Sequence, residues 1–368
     1  MIAKIGGRIR FPLMALGMLA LLAALWAGLV RLGWNWPPLR PAPAAAHGPL
    51  MVGAFLGTVI GVERAVALNR RWTYLGPLLT GLGGLALMLG LPAPIGPLLT
   101  TLGSLGLAAV FGLILRLHPA AYTITMAMGV LLWLAGNGLW LAGGPIYTAV
   151  YWWAGFLILT IAGERLELNR VLRLSGRVQN LFVAAGGLFL IGLLTSLAAF
   201  DVGVRLAGVG MVAIALWLLR YDIARYTVRK AGLTRFIAVC LLAGYGWLVV
   251  SGLLALSYGG VSAGFQYDAI LHALFVGFVM SMIFGHAPII FPAVIGRPIP
   301  FRTSFYLPLV LLHLSLLLRL LGDLTVWLPA RQWGGLLNVV AILLFLAGLG
   351  LSMLRGRDAS AGVSPKLS

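Results

Sequence analysis

Twelve long apolar stretches joined by short connections limit this chain more than any other feature. Each stretch is about as long as the 20 residues that an α-helix needs to cross a bilayer, and charged residues make up only 9% of the chain. The sequence therefore predicts one all-α integral membrane domain over residues 1–368, with 12 transmembrane helices. The predicted spans are about residues 11–34, 47–68, 73–92, 95–117, 120–142, 146–166, 178–198, 203–222, 233–257, 264–287, 303–322 and 333–354.

The basic residues give the predicted orientation. Five of the 26 Lys and Arg residues fall on one side of the predicted membrane, and the other 21 fall on the side of the two termini. Because cytoplasmic loops carry the excess of Lys and Arg, we expect an inner (plasma) membrane protein with both termini in the cytoplasm. The net charge of +18 does not predict nucleic-acid binding, since the charges lie at helix ends beside anionic lipid. The five outer residues are Arg31, Arg40, Arg205, Arg319 and Arg331.

A short motif recurs at the inner ends of spans 2 and 6. Glu63-Arg64 and Glu164-Arg165 are each followed by a Leu-Asn-Arg tripeptide, and the two motifs lie four helices apart. Internal repeats are common in membrane proteins and often place a site at the repeat interface. The spacing predicts three four-helix units, over about residues 11–117, 120–222 and 233–354, in which spans 2, 6 and 10 are equivalent. The alternative is that both motifs are ordinary helix ends with snorkelling charges.

Two of the five histidines, His47 and His272, lie near the outer ends of equivalent spans. An ionisable side chain within a membrane span is costly and indicates function. Two imidazoles from facing helices can hold one low-spin haem iron. The sequence therefore predicts that His47 and His272 are the axial ligands of one haem, with Cα atoms roughly 12–14 Å apart. A hydrogen-bonded structural role for each histidine is the alternative.

Helical periodicity assigns each of these histidines a face of its helix. The face of His47 is mostly small, as a porphyrin plane against a helix would require, and the face of His272 is apolar as far as its inner end. The first face comprises His47, Met51, Ala54, Thr58 and Gly61. The second comprises His272, Val276, Val279, Ile283 and His286.

Other polar residues are candidates for supporting roles. Asp268 and Tyr267 precede His272 by about one turn, so Asp268 could orient its imidazole, or it could be a solvated helix start. His286 and His118 lie on the cytoplasmic side and are candidates for a second metal site, although His118 precedes a proline and could simply end its helix. His313 lies mid-span, where a buried hydrogen bond is as plausible as ligation.

Two short segments of the chain resemble the NnrS family. They are His272-Ala-Leu-Phe-Val-Gly277, with Met282 ten residues after the histidine, and His47-Gly-Pro-Leu-Met51. NnrS proteins are twelve-helix bacterial membrane proteins that bind haem and copper, are linked to the nitric oxide response, and are distantly similar to subunit I of haem–copper oxidases. The resemblance implies an oxidase-like arrangement of the helices. It also implies that His47 and His272 hold the low-spin haem.

The chain departs from the oxidase pattern where oxygen is reduced. The oxidase copper site needs a histidine on helix 6 and two more shortly after it, whereas no histidine lies between His118 and His272 here. Helix 10 of an oxidase also carries two histidines separated by one residue, and positions 270 and 274 are Ile and Leu. The sequence therefore argues against a haem–copper oxygen reductase.

These observations predict a membrane protein that binds haem b, and the resemblance adds copper as a second cofactor to test. The expected role is nitric oxide binding or response, or electron transfer with a quinol or cytochrome partner, and a haem-dependent oxidoreductase activity is left open. A secondary transporter is the alternative, because twelve helices with internal repeats also describe many permeases. A structural subunit without a ligand is the third reading.

Overall fold

A computed structural model describes residues 2–37 and 44–361 of the chain. All regular structure within these ranges is helical, as the apolar stretches predicted. Arg40, one of the five predicted outer basic residues, lies outside the described residues. The helices are α1 (Ile2–Arg31), α2 (Ala44–Leu68), α3 (Leu75–Met88), α4 (Ile95–Leu117), α5 (Ala121–Leu141), α6 (Ile146–Leu168), α7 (Gly176–Thr195), α8 (Phe200–Tyr221), α9 (Gly232–Tyr258), α10 (Gly264–Ile295), α11 (Tyr306–Leu324) and α12 (Leu328–Ala361).

Within the described residues, eleven helices are long and apolar enough to cross a membrane. The exception is α3, which has 14 residues where a span of 73–92 was predicted. A 3₁₀ turn over Arg71–Tyr74 precedes it, and Gly90 adopts a φ of 62° just beyond its end, with Pro92 following. Gly in this left-handed conformation commonly ends a helix. The structure therefore shows a multi-pass membrane protein, and the count of twelve spans stays a prediction.

The outer surface of the helix bundle is apolar. A soluble protein rarely exposes large contiguous apolar patches, whereas a lipid-facing surface needs them. Leucine and valine side chains on most helices are more than half exposed, which indicates contact with the bilayer. Examples are Leu105, Val183, Leu194, Leu216 and Leu317.

The three helices that the repeat makes equivalent lie at the centre of the bundle. Most helices pack against their neighbours in the chain, and α12 returns to contact α1. Of the eleven long apolar helices, α6, α10 and α2 have the most buried segments, at 78%, 67% and 61%, compared with 28% for α7. In addition, α10 contacts both α2 and α6. This central position agrees with the predicted equivalence of spans 2, 6 and 10.

Ion pairs join helix ends on the side that the sequence predicts to be cytoplasmic. Arg64 of α2 pairs with Glu164 of α6. The neighbouring Arg165 binds Asp222 through Nε at 2.7 Å and Nη2 at 2.9 Å, and Tyr245 donates its hydroxyl to the same carboxylate at 3.1 Å. The Arg165 side chain is only 4% exposed. The snorkelling alternative is therefore wrong for Arg165, which crosslinks buried helix ends.

Both histidine-bearing central helices contain a π-helical segment. In α2 the segment is Leu50–Leu56 and begins three residues after His47. In α10 it is Ala273–Met280 and begins directly after His272. Single π turns are rare and frequently occur at functional sites, because each adds a residue and turns the following side chains around the helix. The sequence analysis did not predict them.

Candidate functional site

The structure brings His47 and His272 together. Their ring centres lie 6.3 Å apart and their planes differ by 20°. His47 sits in the first turn of α2, and His272 lies in the outer part of α10, directly before its π-helical segment. The two helices therefore carry the rings to the same depth, as the sequence predicted from the equivalence of spans 2 and 10.

Hydrogen bonds determine which nitrogen of each ring is free. His47 Nδ1 lies 2.7 Å from the carbonyl oxygen of Ala24, and His272 Nδ1 lies 2.9 Å from that of Asp268. A carbonyl oxygen only accepts, so each Nδ1 carries the proton and each neutral ring keeps its lone pair on Nε2. Metal-binding histidines usually have this arrangement, because the second hydrogen bond orients the ring. The hydrogen-bonded role and the ligand role thus involve different nitrogens and do not exclude each other.

Helix α1 packs closely against the His47 ring. A Cβ at Gly28 would lie 3.0 Å from both Cε1 and Nδ1 of His47, which is tighter than ordinary contact. Ala24, one turn earlier in α1, supplies the carbonyl that accepts from the ring. The small residue at position 28 therefore lets α1 approach the imidazole and fix its orientation.

Asp268 belongs to a buried ion network, not to a solvated helix start. Its Oδ2 accepts from Arg319 Nε at 3.0 Å and Nη2 at 2.8 Å, and its Oδ1 lies 3.2 Å from His272 Nδ1. Arg331 approaches the same carboxylate at 3.6 Å and pairs with Asp323 at 2.8 Å. The Asp268 side chain is 15% exposed. Asp268 is therefore placed to orient His272, as one of the two sequence alternatives proposed.

Sequence analysis missed the partners of Asp268. Arg319 and Arg331 were counted only as outer basic residues, and Asp323 was not singled out. The spacing of Arg319 and Asp323, four residues apart on one helix, is the local signal that links them. Their meeting with Asp268 depends on α10, α11 and α12 packing together, more than 50 residues apart in the chain.

Both rings line an outer cavity of about 240 Å³ between α1, α2, α6, α10, α11 and α12. Tyr267, Met51 and Phe275 are among its walls, which are mostly apolar. Three arginines, Arg31, Arg319 and Arg331, also line it, while the described carboxylate that lines it, Asp268, is already paired. The cavity therefore combines two imidazole nitrogens with an apolar interior and a positively charged border.

The predicted small-residue face of α2 does not line this cavity beyond Met51. Ala54 lies beside Gly84 of α3, Thr58 is 3.0 Å from Thr80 of α3 through their hydroxyls, and Gly61 faces Pro77. The prediction assumed 3.6 residues per turn throughout, and the π-helical segment Leu50–Leu56 breaks that period. The residues that face the centre are Val52, Phe55, Leu56, Val59, Ile60 and Glu63.

The structure separates the other three histidines. His118 is exposed at the end of α4, where its carbonyl accepts from the Thr123 hydroxyl at 2.7 Å. His286 lines a second, inner cavity of about 110 Å³, and the residues that line this cavity do not include His118. His313 Nδ1 accepts from Trp247 Nε1 at 2.9 Å, a partly buried hydrogen bond. The residues predicted as a second metal site thus lie in different surroundings.

Within residues 2–37 and 44–361, no three His, Cys, Asp or Glu side chains gather as ligands for a metal ion. A haem iron needs fewer ligands from the protein, because the porphyrin supplies four of the nitrogens. Two imidazoles are sufficient for that purpose.

The apolar helices define the chain as a multi-pass membrane protein. Residues 10–353 match the model of a family described as "Domain of unknown function (DUF8744)", and the chain belongs to that family. No curated protein and no solved structure matches the chain.

Proposed function

We propose that this protein binds haem b between His47 and His272 and acts in nitric oxide binding or response, or in electron transfer. The observation that carries the proposal is the pair of imidazoles, 6.3 Å between ring centres, each with Nδ1 occupied by a carbonyl. Two imidazoles that share one metal through bonds of about 2.0 Å hold their ring centres roughly 6 Å apart. The donor set therefore fits a haem iron.

The charge of the outer cavity supports the same cofactor. Haem b carries two carboxylates, and guanidinium groups bind carboxylates through paired hydrogen bonds. Arg31, Arg319 and Arg331 line the cavity together with apolar side chains that suit a porphyrin ring. When bound, haem would supply an iron that exchanges single electrons, and nitric oxide could bind that iron in place of one of the two imidazoles. The protein's part is to hold the iron, orient both imidazoles and exclude bulk water.

The placement in the cell forms part of the proposal. We infer a bacterial inner membrane location, cytoplasmic termini and an oxidase-like arrangement of three four-helix units from the distribution of basic residues and from the central position of α2, α6 and α10. In that orientation the paired histidines lie near the outer surface, and the inner cavity lies toward the cytoplasm.

An optical spectrum of the purified protein tests the haem proposal. We expect a Soret band and sharp α-bands on reduction, as for an iron with two histidine ligands. His47→Ala and His272→Ala should each abolish this low-spin spectrum. His313→Ala is the matched control and should leave it unchanged, because His313 does not line the cavity that contains His47 and His272. Low-spin haem that survives both single substitutions would show that the ligands lie elsewhere.

The two cavities support one other function. They are lined by successive turns of the same helices, so the outer one ends at Val52 and Val276 and the inner one begins at Phe55 and Val279. Axial cavities of this kind also occur in secondary transporters, whose sites lie between repeats. A protein that is purified without haem, does not take up added haem and accumulates a solute in vesicles would favour transport.

A further inference from the structure

We propose that the inner cavity binds a quinol-class ligand, that is, an aromatic ring with oxygen substituents at opposite positions. The cavity lies between the three central helices and is closed by α1 and α12. Four kinds of group meet in it: a threonine, a histidine, two glutamates and several phenylalanines. They are Thr160, His286, Glu63, Glu164, Phe55, Phe291 and Phe345.

Two polar groups on opposite helices need a partner. The Thr160 side chain of α6 is 3% exposed, and its hydroxyl oxygen has no hydrogen-bond partner among the described residues. Thr160 lines the inner cavity, so a ligand oxygen there can supply the partner. Because an unsatisfied buried hydroxyl costs about 1–3 kcal/mol, such a ligand gains from bonding to it.

His286 of α10 offers the complementary group. Its Nδ1 lies 2.7 Å from the carbonyl oxygen of Met282, so Nδ1 donates and Nε2 keeps the lone pair. The ring lines the cavity and is only half-buried. A ligand hydroxyl can therefore donate to His286 Nε2 while a second oxygen, across the ring, bonds to Thr160.

The walls of the cavity favour a flat aromatic ligand over a lipid chain. Phe55, Phe291 and Phe345 come from three different helices and can pack against a ring, which adds to simple burial. An acyl chain would fill the same space but leave Thr160 and His286 without partners. Apolar contact together with two oxygens is thus the combination that satisfies every group in the cavity.

Charge excludes the anionic ligands of similar shape. Glu63 and Glu164 line the cavity, and Arg64, which pairs with Glu164, is the cation next to them. No described arginine or lysine lines this cavity, so the carboxylate of a fatty acid or of a second haem would find no cation in its wall. A quinol is neutral and needs none. The outer cavity differs, because three arginines line it.

The proposed quinol site in the inner cavity does not depend on whether haem binds in the outer cavity. One turn of side chains separates the cavities, from Val52 to Phe55 in α2 and from Ile342 to Phe345 in α12. If both proposals hold, the ligand lies on the same axis as the haem and next to it. If the haem proposal fails, the inner cavity and its polar groups are unaffected.

Binding can be measured on the purified full-length protein with 2-heptyl-4-hydroxyquinoline N-oxide, a fluorescent ring with two polar oxygens. We expect its fluorescence to be quenched saturably and decyl-benzoquinol to displace it. Thr160→Val and His286→Ala should each raise Kd about threefold to tenfold, because each removes one hydrogen bond. Ile161→Trp should block binding by filling the cavity while both polar groups remain.

Matched controls separate these effects from misfolding. Thr100→Val removes a buried threonine hydroxyl outside both cavities, and His118→Ala removes an exposed histidine. Both should bind like the wild type, and every variant is compared by gel filtration and thermal unfolding. Folded Thr160→Val and His286→Ala variants with unchanged Kd would overturn the proposal, as would absence of binding to the wild type. Displacement by oleate as effective as by the quinol would show an acyl-chain site instead and would also overturn it.

The same assay identifies the source of the ligand. Decyl-benzoquinol that binds more tightly in nanodiscs than its tail-less analogue indicates a ligand from the bilayer. Equal binding of the two indicates a ligand from the cytoplasm. Both results support the ring chemistry, and the haem spectrum of the same sample is recorded separately, so failure of one proposal is visible without the other.

Discussion

Replacing Asp268 with asparagine should destabilise the protein by about 3–5 kcal/mol, the usual cost of leaving a buried charge without its partner. Asp268 lies 2.8 Å from Arg319 and 3.6 Å from Arg331, and Arg331 also lies 2.8 Å from Asp323. Asp268→Asn keeps the shape of the side chain and removes only the charge. The Arg319 side chain is 8% exposed, so water cannot replace the lost carboxylate.

The control is an ion pair of similar geometry in water. Asp201 and Arg205 lie 2.9 Å apart, like Asp268 and Arg319, but their side chains are 58% and 40% exposed. Asp201→Asn should cause a far smaller loss, because solvent screens exposed pairs. The double variant Asp268→Asn/Arg319→Gln removes both charges of one pair, so its loss should be smaller than the sum of the two single losses.

Unfolding by sodium dodecyl sulfate in mixed micelles, followed by far-UV circular dichroism, gives the free energy of unfolding for each variant. In a haem-loaded sample, Asp268→Asn should also weaken cofactor retention, since partners that orient a metal-binding histidine typically contribute 10–100-fold to affinity. His272 keeps its bond to the backbone carbonyl of residue 268, so the band positions should change little. An Asp268→Asn protein as stable as the wild type, or strictly additive single losses, would refute the buried network.

Two further predictions concern topology and chemistry. Reporter fusions at Gly143, between α5 and α6, and at Gly176, at the start of α7, should report opposite sides of the membrane, and matching signals would contradict the proposed orientation. Oxygen consumption with a quinol or cytochrome donor should stay at background, because no histidine lies between His118 and His272 to build the oxidase copper site; cyanide-sensitive turnover at oxidase rates would show that the site has been misread.

Features set by one helix at a time were predictable from the sequence. The apolar stretches predicted the helices because each spanning segment must satisfy its own backbone in lipid. The exception, α3, was predicted too long because hydropathy continues past Met88, whereas backbone conformation at Gly90 ends the helix. The pairing of His47 with His272 was also accessible, since the repeat placed both at one depth.

Features that require several helices to meet were not predictable. Arg319 and Arg331 had an adequate explanation as two of the five outer basic residues, so nothing in the sequence connected them to Asp268. The inner cavity depends on how α1 and α12 close over the three central helices. Thr160 looked ordinary in its own segment and His286 was predicted only as a candidate metal ligand. Only the packing of α6 against α10 gives the two side chains a common space.

The π-helical segment of α2 explains why the small-residue face of this helix was predicted wrongly. It also explains how α2 packs closely against α3. A regular α-helix would direct Ala54, Thr58 and Gly61 toward the centre. The extra residue turns this small stripe toward α3, where Ala54 lies beside Gly84 and the two helices can approach closely. The extra residue also turns Phe55 toward the inner cavity, which this side chain lines on the side of the outer cavity. The π-helical segment thus allows α2 to pack closely against α3 on one face and to line the two cavities on the other.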